Sequence, residues 1–175
     1  MEETKEISRE RISEGFLKLD SVNYQCGIKE FKREIVNRGD SVAGLLFNTS
    51  TEKYIFVKQF RPGAGEELIE IIAGTMDVEG ETPEKCLSRE MEEETGFLMT
   101  GCELICSSYS SPGGSTEKIY IFNAVTSGEK QGTGGGVEDE DIEIVEFTAD
   151  EIAKNFDILS RDLKTCLALI HHANC

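Results

Sequence analysis

Histidine is nearly missing from this chain, and positive charge is scarce. The two histidines among 175 residues are neighbours, His171 and His172, close to the C-terminal end. A histidine-based triad is therefore disfavoured, and helix capping or plain exposure is the expected use of both rings. Six cysteines, at positions 26, 86, 102, 106, 166 and 175, include no Cys-x-x-Cys pair and no zinc-type arrangement with histidine. Reduced thiols follow, with Cys102 and Cys106 read as small core side chains. Lys and Arg number 18 against 34 Asp and Glu, a formal net charge of -16, which opposes sequence-independent binding to nucleic acid or anionic membrane. Long apolar runs are absent too. Those present are short and strand-like, and the start, Met-Glu-Glu-Thr-Lys-Glu, lacks the charged leader and apolar stretch of a signal peptide. A soluble, cytoplasmic protein with no nucleic-acid and no membrane partner is expected.

What is present suffices for one folded domain, since 38% of the residues are apolar. Residues 1–40 are charged with scattered apolar positions and read as an N-terminal β extension, with strands from Phe16, over Val22 to Ile28 and over Phe31 to Val36. Residues 41–175 form the main domain. Val42 to Phe47 and Tyr54 to Phe60 read as a hairpin, and Leu68 to Ile72 as one strand entering Ala73-Gly74. Strands are expected near Cys102 to Tyr109, Lys118 to Val125 and Ile142 to Phe147, with glycine-bearing loops at 110–116 and 127–141 between them. A short helix around Asp150 to Asn155 comes next. Ser160 then reads as the N-cap of a last helix that packs Leu163, Cys166, Leu167 and Ile170 on the sheet. Strands flanked by helices place the chain in the α/β class.

One helix breaks the ordinary rule of polar outside and apolar inside. Thr82 is a candidate N-cap, Pro83 suits the first helical position and Gly96 a left-handed end, so residues 83–95 read as a helix. Leu87 and Met91 mark its apolar stripe, yet Glu90 and Glu94 fall inside that stripe and Glu93 at its edge. In an acidic chain a glutamate-rich solvated face is the commoner explanation. Burying ionised carboxylates, however, costs several kcal/mol each unless a cation compensates, which favours bound Mg2+ or Mn2+. Arg89 and Glu93, four apart, are expected to pair while Glu90 and Glu94 project together.

The run Arg89-Glu90-Met91-Glu92-Glu93-Glu94-Thr95-Gly96-Phe97, with Glu81 and Gly74 upstream, resembles the Nudix box of Nudix hydrolases. Six residues separate Gly74 from Glu81, one more than is usual in that family, and the helix register is unaffected. Val57 to Pro62, Ala73-Gly74, Ser111 to Glu117 and Gly134 to Asp141 are similar to the ADP-ribose and nucleoside-diphosphate-sugar pyrophosphatase branch. The glycine-rich acidic stretch is especially similar to GDP-mannose hydrolases, whereas Asp40 to Pro62 looks closer to UDP-sugar pyrophosphatases, so the two point to different sugars.

The resemblance implies a Nudix fold, a mixed β-sheet sandwiched between helices, and metal-dependent hydrolysis of GDP-mannose, UDP-glucose or ADP-ribose. It implies that Glu90, Glu94 and the Ala73 carbonyl are metal ligands, and that Glu93 is a ligand or a partner held by Arg89. Glu81 would orient the helix start. Glu138 would be the general base and Glu140 a further metal ligand delivered by a closing loop, with Gly132 and Gly134 to Gly136 as its hinge. Arg61 would fork onto substrate phosphate and Glu70 accept from ribose or base, although a surface ion pair explains either residue equally well. Ser111 and Gly113 would line the sugar side, or merely form a tight turn. Relatives in the branch imply a homodimer in which residues 1–40 complete the partner's pocket. Two other readings stay open: a non-catalytic Nudix-fold nucleotide-sensing module, and an acidic cation-binding interaction protein.

Overall fold

The computed structural model describes residues 2–15, 17–128, 130–135 and 141–174. The chain forms two compact units, Met1–Asp40 with Ser108–Ile119 and Ser41–Ser107 with Tyr120–Cys175. In the first, β1 (Thr4–Glu14), β2 (Lys18–Cys26) and β3 (Lys29–Asn37) form an antiparallel sheet in that order. The first strand has no counterpart in the sequence reading, because nearly all its side chains are exposed and no apolar alternation marks it. Its register is fixed by charge. Arg9 and Arg11 both donate to Asp20 on β2, which is 1% exposed, and Asn37 on β3 donates to the same carboxylate. The Arg11 and Arg9 hydrogen bonds hold that carboxyl below its ordinary range despite burial.

The second unit is built on a mixed sheet of seven strands: β4 (Ser41–Asn48), β5 (Lys53–Arg61), β6 (Glu66–Glu70), β7 (Ile72–Thr75), β8 (Gly101–Tyr109), β9 (Lys118–Thr126) and β10 (Glu143–Phe147). Their order is β10-β5-β4-β9-β8, with β6 beside β5 and β7 beside β4. The expected single strand over Leu68 to Ile72 is thus two strands. At Ile71 the chain leaves β5, having matched Glu70 to Val57, and joins β4, matching Ile72 to Gly44. That step gives Glu70 and Ala73 different neighbours although they are only three residues apart.

Side chains alternate across β4 and β5. Val42, Leu46, Ile55 and Val57 face α1 (Pro83–Thr95) and pack with Cys86, Leu87, Met91 and Phe97. Each such side chain, fully buried, contributes about 1.5–3 kcal/mol. A methyl at Gly44 would sit 2.6 Å from the Met91 side chain, so α1 lies on β4 with no room to spare. Helices α2 (Ala149–Lys154), α3 (Phe156–Leu159) and α4 (Leu163–Ala173) follow, with α3 against β6 and α4 against β4.

Two expectations about the last helix are corrected. Its N-cap is Asp162, which accepts from the Thr165 amide at 2.9 Å; Ser160 ends α3 instead. The buried face carries Thr165, Ala168 and Leu169, while Leu163 and Ile170 are exposed. A buried polar contact decides the rotation, because the Thr165 hydroxyl accepts from the Ile71 backbone N–H at 2.9 Å and donates to Asp162 at 2.6 Å. Pattern reading places the larger Leu and Ile inward and has no way to anticipate the hydroxyl. Cys102 and Cys106 are half-buried strand residues, and Cys102 packs against the hydrophobic core as expected. Among the described residues no helix is long and apolar enough to cross a membrane.

Candidate active site

Helix α1 starts and ends where its punctuation says. The Thr82 hydroxyl accepts from the Lys85 amide, Pro83 opens the helix, and Gly96 closes it at φ 75° with its N–H donating to the Glu92 carbonyl at 2.8 Å. These ends set which side chains face the sheet. Cys86, Leu87, Met91, Glu94 and Thr95 are buried, so a carboxylate shares the face with core side chains; Glu94 is only 5% exposed. The Thr95 hydroxyl donates back to the Met91 carbonyl.

Glu90 lies one turn before Glu94, against the Ala73-Gly74 strand. A methyl built on Gly74 would come within 1.9 Å of the Glu90 carboxyl carbon, so the space a side chain would fill is occupied by this carboxylate. Burial raises the Glu90 carboxyl above its ordinary value, and the neighbouring Arg89 only partly offsets this.

Arg89 is more heavily used than the sequence reading allows. Its Nη1 donates to Glu93 at 3.1 Å, the expected pairing, but also to Glu90 at 2.7 Å. Nε and Nη2 both donate to Glu81 at 3.3 Å, and Nη2 to Asp77 at 3.4 Å. Glu90 is therefore not kept apart from the arginine as expected, since the fork reaches the adjacent residue as well as the one a turn ahead. The guanidinium also lies 3.5 Å from Cys86 Sγ, yet burial dominates there and pushes the thiol up to about 12, leaving it inert.

The candidate donors, the Glu90 and Glu94 carboxylates of α1 and the Ala73 carbonyl, are hard oxygen ligands of the kind a divalent ion takes, and Glu90 lies directly against Gly74. Among the described residues no three His, Cys, Asp or Glu side chains converge as a complete ligand cluster. Glu138 and Glu140 lie outside the described residues. Of the glycines expected to hinge their loop, Gly136 also lies outside the described residues, while the Gln131 and Gly132 amides donate to the Gly96 carbonyl and the Gly135 amide to the Glu94 carbonyl. A Cβ on Gly134 would meet the Thr95 backbone at 2.7 Å, so Gly132 and Gly134 permit close packing on the end of α1.

Arg61 and Glu70 are brought together, but with each other. Arg61 Nε donates to both Glu70 oxygens at 3.0 and 3.1 Å and Nη2 to Oε2 at 2.6 Å. Lys164 on α4, which sequence reasoning missed, donates to Oε2 at 2.8 Å and to Asp162 at 2.8 Å. Glu70 is 2% exposed and both its oxygens are engaged, so the ion pair weighed as the alternative to contact with ribose or base is present, buried rather than at the surface. Burial alone would raise its carboxyl; Arg61 and Lys164 together outweigh burial and lower it. Arg61 is pulled down by burial and more strongly held charged by Glu70, with Glu94 of α1 adding to that field.

Ser111 and Gly113 belong to the first unit. The Gly114 and Ser115 amides turn back onto the Ser111 carbonyl, and β3 anchors the loop: Val36 N–H donates to the Gly114 carbonyl at 2.8 Å and Arg38 N–H to the Thr116 hydroxyl at 2.9 Å. His172 contacts Tyr54 at 2.8 Å, an exposed pair consistent with a non-catalytic role.

Comparison with known proteins agrees with this geometry. The GDP-mannose pyrophosphatase of Cronobacter sakazakii is 35% identical over 180 residues, covering 95% of this chain and 93% of the relative. Those of Salmonella arizonae and Escherichia coli are 38% and 37% identical over 173 residues, each covering 90% of this chain and 88% of the relative. A crystal structure of an ADP compounds hydrolase shares the fold, with a TM-score of 0.85 at 15% identity over 99% of this chain and 94% of that one. The NUDIX domain matches residues 37–165, and with these relatives it establishes that the chain belongs to the Nudix family.

Proposed function

We propose that this chain is a divalent-metal-dependent Nudix pyrophosphatase that hydrolyses the pyrophosphate bond of a nucleoside diphosphate sugar, GDP-mannose first among the candidates. Water attacks one phosphorus, the bridging P–O bond breaks, and a nucleoside monophosphate and a sugar phosphate leave. One observation carries this reading: α1 turns two glutamates toward the protein interior, Glu90 against Gly74 and Glu94 among the buried side chains of the helix, where ionised carboxylates are costly unless a cation compensates. The GDP-mannose pyrophosphatases at 35–38% identity support the choice of sugar nucleotide.

A bound Mg2+ or Mn2+ supplies neutralisation of the diphosphate oxygens and a more acidic water. Glu90, Glu94 and the Ala73 carbonyl would hold it, and Arg89 steadies Glu90 and Glu93 between turns of the helix while Glu81 braces the guanidinium. Arg61, fixed by Glu70, offers its charge to substrate phosphate. Glu138, assigned by resemblance, would take the proton of the attacking water, and Glu140, assigned the same way, would be a further metal ligand. The enzyme works as a homodimer.

The test is incubation of purified protein with Mg2+ and a panel of GDP-mannose, ADP-ribose and UDP-glucose, with products separated by chromatography. GMP and mannose 1-phosphate are the expected products. Binding of these compounds without turnover would instead support a sensing module.

A further inference from the structure

Four charges, Glu70 among them, form a chain from the last helix to the tip of β5. Asp162 caps α4 and holds Lys164, Lys164 holds Glu70, and Glu70 holds Arg61. The inner links are shielded from water, with Lys164 13% and Glu70 2% exposed, whereas Arg61 at 37% reaches solvent. Buried ion pairs of this kind are poor stabilisers, because desolvation cancels most of the Coulomb gain. Three charged side chains sunk between β5, β6 and α4 therefore call for a purpose other than stability.

The geometry of the last link suggests one. Arg61 spends Nε and Nη2 on Glu70, and among the described residues Nη1 has no hydrogen-bonded partner. A guanidinium gripped along one edge presents the other in a fixed direction, and Glu94 on α1 is close enough to act on its charge. Lys164 stops the Glu70 carboxylate from rotating away with the arginine, since it binds the same Oε2 that receives the shortest Arg61 bond.

We infer that Lys164 is a positioning residue for substrate: acting through Glu70, it fixes Arg61 so that the free edge of the guanidinium meets a phosphate oxygen of the nucleotide. The inference rests on the function proposed above and goes beyond it, because Lys164 itself touches no substrate. Asp162 is the outer support, which explains why an aspartate with two acceptor oxygens caps α4: Oδ1 takes Lys164 while Oδ2 takes the Thr165 amide and hydroxyl.

The experiment is a kinetic cycle on the full chain with GDP-mannose, or with whichever panel compound is turned over. Lys164→Met is expected to raise KM about ten-fold with a much smaller change in kcat, because an interaction common to ground and transition states is lost. Lys164→Arg should restore most of the wild-type KM. In an Arg61→Ala background, Lys164→Met should add nothing further to KM, since the residue it acts through is gone. A merely structural lysine would lower Tm with KM unchanged, or would raise KM by the same factor in both backgrounds, and either result overturns the inference. Should Lys164→Met fail to fold, Lys164→Gln, which keeps a donor and drops the charge, takes its place in the cycle. Failure of the proposed function is read separately, as absence of turnover by the wild-type protein on the whole panel.

Discussion

Glu90 shows how a single residue trades stability for chemistry. Burial lifts its carboxyl above the ordinary value, and an acid whose folded pKa exceeds its unfolded one costs stability as pH rises through that interval. The cost is complete above the folded value and absent below the unfolded one. Glu90→Gln removes the charge at nearly constant shape and keeps an acceptor for Arg89. In EDTA at pH 7 the variant should be more stable than wild type by roughly 0.5–2 kcal/mol, the usual size of such gains, and the difference should vanish below the carboxylate range. Calorimetry across pH checks this, and destabilisation at neutral pH would contradict it. The spacing of Glu90 and Glu94 was readable from the sequence because helical periodicity is rigid. The full reach of Arg89 was not, since a long guanidinium can serve Glu81 and Asp77 from outside its own helix.

Among elements, α1 was the most legible: Thr82, Pro83 and Gly96 each act locally, and local signals survive folding. Helix α4 was the least legible in orientation. Its face is chosen by Thr165 meeting the Ile71 N–H, and by Lys164 meeting Glu70, contacts between residues 94 apart in sequence. The break at Ile71 was hidden for the same reason, as an apolar run does not announce that it changes partner strands. Glu70 ties these elements together, so Glu70→Met should leave Arg61 and Lys164 facing each other without a carboxylate. Removing one partner from a buried ion set costs about 3–5 kcal/mol; the water available to Arg61 puts the expected loss near the lower end. Because Arg61 and Lys164 lower the Glu70 carboxyl overall, its stabilising contribution is present above the unfolded value and fades as pH falls through the lowered one. Urea unfolding should therefore show the deficit at pH 7 and a narrowing gap under acid. A deficit below about 1 kcal/mol at pH 7 would mean that the pairs are not coupled as described.

For the whole molecule, residues 1–40 and Ser108–Ile119 form one unit, so the extension does more than add strands. Deleting residues 1–40 removes the Val36 and Arg38 amides that hold the Gly114 carbonyl and the Thr116 hydroxyl. Truncation should weaken dimerisation and raise KM, as expected if residues 1–40 complete the partner's pocket; a fully active monomer would refute that shared-pocket expectation. The α/β architecture and the Nudix family were legible in the sequence because the box is a contiguous motif whose chemistry dictates its spacing. The all-exposed β1 was not, because its partners are charges on other strands. The proposed function turns on Glu90 and Glu94 of α1 serving as oxygen ligands, and titration of Mn2+ followed by electron paramagnetic resonance tests that directly. Wild-type protein should bind Mn2+, and Glu90→Gln and Glu94→Gln should each weaken binding by at least about ten-fold while remaining folded. Equal Mn2+ affinity in wild type and both variants would contradict the account.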